Sequence, residues 1–286
     1  MIRFACVLCW LLYFSAPPAE AATLEFPASL DQGTAVFLRV LDFVPGAKLT
    51  GSFNTTPFPI TDDGLALIAV DMETPPGDRT LQVTLGNPNG RSETLTQQVV
   101  VNKRDYHEEH ITLPEGRVSL SDKKDAERAR RETEAIRAAF RVRDGLVGFQ
   151  SGFSQPVQGR LSSVFGSRRI LNGTPKSPHN GCDIAAPKGT QVHATAPGTV
   201  VLVGKNYILT GNTVVLHHGH GVISLYAHLD SVLVRKGDGV SQGQTVGRVG
   251  TTGRSTGPHL HWGTLVREQR VDPMRLPGVA KGEKIY

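Results

Sequence analysis

The chain contains little cysteine, no long apolar run beyond its first residues and no basic patch interleaved with aromatic residues. Two of its three cysteines lie within the first nine residues. The third, Cys182, cannot form an intramolecular disulfide alone, so stability has to come from apolar cores or from a bound metal. We expect no membrane span after the first residues. The formal net charge of +5 is modest and, without such a patch, does not favour a nucleic-acid partner.

The first 21 residues have the pattern of a secretory signal peptide. A short positive start at residues 1–3 precedes an almost wholly apolar stretch at 4–14, and residues 19–21, AEA, offer a small-x-small cleavage site. The apolar stretch is too short to span a bilayer as a mature helix. We therefore expect residues 1–21 to be removed and the protein to be exported to the periplasm or cell envelope.

Residues 22–103 are predicted to form an all-β domain. Short runs of alternating or clustered apolar residues are separated by turn signals such as PG, DDG, PPGD and NPNG. The runs lie at residues 35–40, 65–70, 80–85 and 97–101. Strands at this spacing are typical of a small immunoglobulin-like sandwich. We find no catalytic constellation in this region.

Residues 104–150 differ in composition and are predicted to be a charged, helical connector. Between residues 121 and 143, apolar or small side chains recur at a 3-4-3-4 spacing, which is the pattern of an amphipathic helix. This stripe consists of Ala126, Ala129, Thr133, Ile136 and Phe140. Ser121 or Asp122 is the candidate N-cap. The many Arg and Glu residues are interpreted as the solvated face of the helix.

Residues 151–286 are rich in glycine and β-branched residues and are predicted to form a compact antiparallel β domain. Strand candidates lie at residues 199–203, 213–216, 221–226 and 244–249, with glycines between them as turn signals. The whole chain is therefore predicted to be mainly β and to contain two domains. Eight of the ten histidines lie between residues 179 and 261, so we look for chemistry there.

The first histidine motif is PHNGCD at residues 178–183. A proline before it and a glycine inside it argue against a helix and favour an extended or looped backbone. In an extended strand, positions four apart share a face, so His179 and Asp183 are expected to converge on one point. An imidazole and a carboxylate are both good ligands for zinc.

The second motif is GPHLHWG at residues 257–263. With a period of two, His259 and His261 project to one side of a strand, while Leu260 and Trp262 project to the other and can join the core. A third element, YAHLD at residues 226–230, is expected to end a strand and contains a further histidine.

A catalytic zinc site keeps three protein ligands and leaves one position for water. His179, Asp183 and His261 give that count, although spacing alone leaves His259 as an alternative to His261. With this ligand set His228 and His259 are left over, and histidine side chains ordinarily titrate near neutral pH. They are candidates to orient the water, accept its proton and stabilise the developing oxyanion.

In order and spacing, these motifs resemble the lysostaphin/LytM-type zinc endopeptidases, which cleave the peptide cross-links of bacterial peptidoglycan. The likeness covers about residues 155–273. Its segments are SVFGSR at 163–168, HNGCDIAAPKG at 179–189, YAHL at 226–229 and TGRSTGPHLH at 252–261. The resemblance implies that His179, Asp183 and His261 hold one zinc ion and that His228 and His259 are the non-ligand catalytic histidines. It also implies that peptidoglycan peptide stems are the substrate.

Three alternatives remain open. Cys182 stands where the family usually has an aliphatic residue; it is interpreted as a buried core thiol, but as a fourth ligand it would close the zinc site into a structural one. A second alternative is an inactive LytM-type adaptor that activates other wall hydrolases, although such adaptors typically lack several of the five site residues. Finally, the N-terminal domain is hypothesised to bind the wall or an envelope protein, or, like the charged helix, to cover the cleft. The other histidines are expected to be structural or solvated.

Overall fold

The computed structural model describes residues 21–111, 122–171, 173–175 and 177–279. Residues 1–20 of the predicted signal peptide lie outside the described residues. Ser121, one of the two candidate helix caps, also lies outside them. The described chain is mainly β, which confirms the predicted fold class. None of the helices it contains is both long and apolar enough to cross a membrane.

The N-terminal part is a sandwich of two β-sheets. Its strands are β1 (Thr23–Glu25), β2 (Ser29–Asp31), β3 (Thr34–Leu41), β4 (Lys48–Phe53), β5 (Thr56–Phe58), β6 (Leu65–Val70), β7 (Gly77–Gly86) and β8 (Ser92–Asn102). One sheet has the order β1-β3-β6 and the other the order β2-β8-β7-β4-β5. All four predicted apolar runs lie in strands, whereas an immunoglobulin-like topology stays a prediction.

Alternating side chains join the two sheets of the sandwich. In β7, Leu81, Val83 and Leu85 are at most 1% exposed, while the residues between them reach the surface. These three side chains meet Leu38 and Ile68 of the other sheet in one apolar core. The period of two that predicted the strands therefore also determines which face is buried.

The connector contains strand β9 (Glu108–Ile111) and helix α1 (Lys123–Phe140). Asp122 is the N-cap of α1, because its carboxylate accepts a hydrogen bond from the backbone N–H of Lys124 at 2.7 Å. The strand was not predicted, since EEHI has no clear apolar alternation. It pairs in parallel with a strand of the C-terminal part, as described below.

The buried stripe of α1 differs from the predicted one at its start. Ala129, Ile136 and Ala139 are buried, but Ala126 is exposed. The prediction was wrong at Ala126 because the contact with the C-terminal sheet begins one turn later, where Arg128 donates a hydrogen bond to the carbonyl of Asn206. The first turn of the helix therefore stays in solvent.

The C-terminal part is built around one large antiparallel sheet. Its strands are β10 (Arg160–Ser163), β11 (Arg168–Leu171), β12 (Thr174–Pro175), β13 (Gly181–Ala185), β14 (Gln191–His193), β15 (Gly198–Tyr207), β16 (Gly211–His217), β17 (Val222–Val232), β18 (Gly239–Val240), β19 (Thr245–Val249), β20 (His259–Val266) and β21 (Gln269–Val271), followed by the 3-10 helix η1 (Pro273–Arg275). The main order is β10-β13-β20-β17-β16-β15-β18, so β20 and β17 are central. The predicted antiparallel β domain is confirmed.

The two faces of this sheet pack against different parts of the molecule. Leu260, Trp262 and Tyr226 are fully buried on one face, in the main core of the domain. On the opposite face, Leu225 of β17 packs against Ile136 of α1 in a smaller cluster. Because neighbouring residues of a strand alternate between faces, the histidines of β20 lie on the same face as the helix.

The sandwich docks directly against the C-terminal part. Arg270 of β21 forms ion pairs of 2.6 Å with Asp71 and with Glu73, and Arg104 forms one of 2.7 Å with Asp272. Strand β9 adds a parallel pairing with β11. The connector therefore joins two bodies that are already in contact.

Candidate metal centre

Asp183 and His261 face each other on neighbouring strands. They are a direct cross-strand pair between β13 and β20, and Asp183 Oδ1 lies 2.8 Å from His261 Nδ1. Leu260 and Trp262, on either side of His261, are fully buried on the other face. The alternation predicted for this motif is confirmed, and it turns His261 away from the main core and toward Asp183.

His179 reaches the same point from outside the sheet. The predicted convergence of His179 and Asp183 is confirmed, but His179 precedes the strand and does not share a strand face with Asp183. The strand begins only at Gly181, so His179 lies in the irregular segment before it. His179 Nε2 thereby lies 3.1 Å from Asp183 Oδ1 and 3.0 Å from His261 Nδ1.

Gly181 allows the segment that carries His179 to pack against the central strand. A Cβ atom at this position would lie 2.4 Å from the carbonyl oxygen of Trp262 and 2.9 Å from the ring of His261. The glycine that argued against a helix in the sequence therefore has a second role. It lets the backbone beside His179 approach the central strand.

A loop from residue 163 to 167 sets the orientation of the His179 ring. His179 Nδ1 lies 3.1 Å from the carbonyl oxygen of Val164 and 3.2 Å from the hydroxyl of Ser163. Since a carbonyl only accepts, Nδ1 carries the proton and Nε2 presents its lone pair to the site. The His179 backbone is also paired with this loop, because its N–H donates to Ser167 and its carbonyl accepts from Gly166.

These three side chains fit a zinc ion. The donor atoms of His179, Asp183 and His261 lie 2.8 to 3.1 Å from one another. Ligand atoms of a tetrahedral zinc site with bonds of about 2.0–2.1 Å are separated by roughly 3.3 Å. Two imidazoles and one carboxylate, each about one-fifth exposed, also match the donor set of catalytic zinc and leave room for a solvent molecule.

Asp183 is a carboxylate in this arrangement. Burial by itself raises its pKa, but the neighbouring His179 and His261 outweigh burial and hold the pKa well below its usual range. Burial lowers the pKa of His261 in turn, which favours a neutral imidazole. A charged carboxylate and neutral imidazoles are the protonation states in which these groups bind metal.

His228 and His259 lie side by side next to this cluster. Their ring centroids are 4.8 Å apart, and His259 Nε2 lies 4.0 Å from Asp183 Oδ1. Each Nδ1 contacts a backbone carbonyl at 2.8 Å, that of Thr252 for His228 and that of Gly257 for His259. Both rings therefore carry their proton on Nδ1 and leave Nε2 free to accept one.

His228 is not at the end of a strand, as the sequence suggested. It lies inside β17, at a break in the register, with a left-handed backbone (φ 62°). Burial lowers the pKa of His228 to about 4, so this ring is neutral near pH 7. The irregularity turns His228 out of the strand alternation and toward the histidines of β20.

A cavity of about 580 Å³ adjoins the cluster on the same face of the sheet. Its lining includes His261 and Asn180 on one side and Arg137 and Arg141 of helix α1 on the other. The sequence predicts a solvated charged face for this helix and, as an alternative, that the helix covers the cleft, but it does not indicate which side chains line the cavity. No periodicity could have revealed this wall of the cavity, because the position of the helix on the sheet depends on tertiary packing.

The two arginines of this wall are only loosely paired. The Arg137 guanidinium is 3.8 Å from the carboxylate of Glu134, and that of Arg141 is 3.4 Å from Glu134 and 3.7 Å from Glu268. Both side chains are more than half exposed. The cavity therefore presents these two guanidinium groups beside the metal cluster, together with the carboxylates of Glu132 and Glu268.

Cys182 is not part of the cluster. It is fully buried in the main core, on the face opposite His261, and burial raises its pKa well above the usual range. The interpretation of Cys182 as a core thiol is confirmed. A closed site with this sulfur as fourth ligand does not fit the structure.

The histidines assigned structural or solvated roles lie away from the cluster. His218 is buried and bonds to the carbonyl of Pro197 at 2.8 Å and to the hydroxyl of Ser224 at 2.7 Å. The Ser224 hydroxyl lies 3.0 Å from that of Tyr226, which accepts a hydrogen bond from the Thr195 backbone. His107 and His110 are exposed. His218 thus belongs to a buried polar chain on the core side of the sheet.

Comparison with known proteins agrees with this geometry. Residues 177–273 match peptidase family M23. Peptidoglycan DD-endopeptidase ShyA of Vibrio cholerae is 45% identical over 117 residues, which are 41% of this chain and 27% of that protein. The chain thus covers about a quarter of the length of this curated relative.

Two solved structures extend the comparison. A Pseudomonas aeruginosa crystal structure assigned to peptidase M23 has a TM-score of 0.63 and 27% identity, and the match covers 85% of this chain and 93% of that one. The catalytic domain of the M23 protein EnpA from Enterococcus faecalis is 34% identical, with 42% of this chain and 94% of that domain covered and a TM-score of 0.37. The resemblance predicted from the motifs is confirmed, and residues 177–273 form a peptidase family M23 domain.

Proposed function

We propose that this protein is an exported zinc endopeptidase that hydrolyses peptide cross-links of bacterial peptidoglycan. The convergence of the His179, Asp183 and His261 donor atoms beside two further histidines is the observation that carries this proposal. The names of similar proteins, such as peptidoglycan DD-endopeptidase, support the substrate class. They also favour a cross-link between D-amino acids over a glycine bridge.

His179 and His261 would bind one zinc ion through Nε2 and Nδ1, and Asp183 through a carboxylate oxygen. A zinc ion held in this way lowers the pKa of a bound water and polarises the scissile carbonyl. The protein supplies the rest of the chemistry. The His179 ring is itself oriented by the Val164 carbonyl, so its Nε2 needs little rearrangement to bind.

His228 and His259 would handle the protons of the reaction. Each has a free Nε2 that can accept a proton from the attacking water and later return one to the leaving amine. Once protonated, the same Nε2–H can donate a hydrogen bond to the oxyanion that develops on the carbonyl. Backbone carbonyls hold both rings by Nδ1, which keeps the reactive nitrogens in place.

The cavity beside His261 would hold one arm of the peptide substrate. Stem peptides carry free carboxylates, which Arg137 and Arg141 can attract. The adaptor alternative needs a missing ligand or catalytic residue, whereas all five are in place. We further propose that the sandwich contributes to targeting through an envelope partner.

Digestion of purified peptidoglycan by the chain without residues 1–21 tests this function. We expect the zinc-loaded protein to convert cross-linked muropeptides into uncross-linked ones, as measured by mass spectrometry of the released fragments. His259→Ala is the matched control and should leave them intact while still binding zinc. Unchanged cross-links after treatment with zinc-loaded wild type would refute the proposal.

A further inference from the structure

The loop that orients His179 is itself clamped by residues of the connector. The Tyr106 ring lies against Gly166, where an added Cβ atom would be 2.0 Å from the Tyr106 ring. The same ring makes an edge contact with Phe165, with ring centroids 6.1 Å apart. Phe165 is only 2% exposed, so the segment that contains it is buried at this junction.

The clamp also includes the sandwich. A Cβ atom at Gly33 would lie 2.8 Å from both the Phe165 ring and the Tyr106 hydroxyl. The guanidinium of Arg104 lies over the Tyr106 ring at 5.2 Å and pairs with Asp272 at 2.7 Å. One junction thus holds parts of the sandwich, the connector and the C-terminal part.

The connector continues this support along the backbone. The N–H of Arg168 donates to the carbonyl of His107 at 2.8 Å, and β9 then pairs with β11. The loop at residues 163–167 is therefore fixed on one side by residues 106–111. On its other side it holds the backbone and the Nδ1 of His179.

We propose that Tyr106 is a positioning residue for the metal ligand His179. Its ring holds the Phe165–Gly166 backbone where the Val164 carbonyl can accept from His179 Nδ1. Asp183 and His261 have no such dependence, because each lies in a strand paired on both sides. The proposal rests on the metal assignment made above, and it extends the site to a residue 71 positions before the region that matches the family.

The zinc affinity of the metal-free full-length protein, measured by competition with a chelating dye, tests this role. We expect Tyr106→Ala to weaken zinc binding roughly tenfold, at the low end of the range for lost support of a ligand. Tyr106→Phe should bind as wild type, because the Tyr106 hydroxyl has no hydrogen-bond partner among the described residues. Phe53→Ala is the matched control, since it removes a half-buried ring that packs on Phe26 within the sandwich.

A change below threefold for Tyr106→Ala, or an equal loss for Phe53→Ala or Tyr106→Phe, would overturn the proposal. If Tyr106→Ala does not fold, the zinc affinity of Gly166→Ala tests the proposal instead, with Gly90→Ala as its control. Both glycines have φ 81°, but only an alanine at 166 would displace Tyr106, so only that variant should lose affinity. Failure of the wild type to bind zinc would instead refute the proposed function itself.

Discussion

Asp183 and His261 belong to the interior of a ten-stranded sheet, whereas His179 and His228 come from irregular backbone. The first pair is directly opposed across β13 and β20, and the other face of β20 is buried through Leu260 and Trp262. His179 depends on a loop, and His228 on a break in β17. We call these the sheet half and the loop half of the site.

The two halves differ in how rigidly the surrounding structure holds their side chains. The sheet half is fixed by ladder hydrogen bonds and a close-packed core, which resist displacement. The loop half is fixed by few contacts, several of them from outside the region that matches the family. Changes in the sheet half should therefore abolish metal binding, and changes around the loop half should tune it.

Removal of a sheet-half ligand should have the largest effect. We expect His261→Ala to bind no stoichiometric zinc and to lose detectable hydrolysis, because only two of three donors remain. Zinc content by mass spectrometry of the purified protein measures this. Full occupancy in the variant would show that His261 is not a ligand.

Removal of a non-ligand histidine should separate chemistry from binding. We expect His259→Ala and His228→Ala to lower kcat by about 10²–10⁴-fold, the usual contribution of a positioned acid–base group. Zinc content should stay at the wild-type level in both. Loss of zinc in either variant would mean that the histidine is a metal ligand and does not belong to the proton-handling pair.

Acid should weaken the core side of the sheet through His218. Burial lowers the pKa of His218 to about 4, so the folded state keeps the ring neutral while the unfolded chain is protonated below its ordinary pKa of 6.5. Stability is then complete above pH 6.5, falls by about 3 kcal/mol as the pH drops to 4 and levels off below. Urea unfolding should show a steeper fall in stability between pH 6.5 and 4 in wild type than in His218→Gln, where His228 still titrates. Parallel pH profiles would contradict it.

Loss of one contact in the loop half should have a small effect. We expect Ser163→Ala to weaken zinc binding only a few-fold, less than the usual loss for a removed ligand partner, because the Val164 carbonyl still accepts from His179 Nδ1. Dye competition measures this affinity. A loss as large as that of His261→Ala would mean that the two halves do not differ as described.

The cavity wall should influence substrate binding least. We expect Arg137→Ala to raise KM a few-fold with kcat unchanged, since an exposed charge pair contributes about 0.2–1 kcal/mol. Arg130→Ala, on the same helix but outside the cavity, is the control. Equal kinetics for the two variants would exclude the cavity as a substrate site.

The sequence predicted the sheet half better than the loop half. Period-two alternation at residues 259–262 is a local signal, and it identified both the buried face and the face of the histidines. His179 precedes β13 in an irregular segment that pairs with the loop at residues 163–167, which spacing alone did not indicate. The five candidate residues themselves followed from the family motifs.

Contacts between distant segments left no signal in the sequence. Tyr106 and Gly166 are separated by 60 positions, and neither the connector nor the glycine shows a period that points to the other. The position of α1 on the histidine face is similar, because amphipathicity indicates that a helix packs but not where. Such contacts follow from the assembled shape of both parts.

A crystal structure of the zinc-loaded protein with anomalous diffraction at the zinc edge tests the central claim most directly. We expect one peak at about 2.0–2.2 Å from His179 Nε2, His261 Nδ1 and a carboxylate oxygen of Asp183, with solvent as the remaining ligand. A peak bound to other side chains, or a fourth protein atom in the solvent position, would contradict the account.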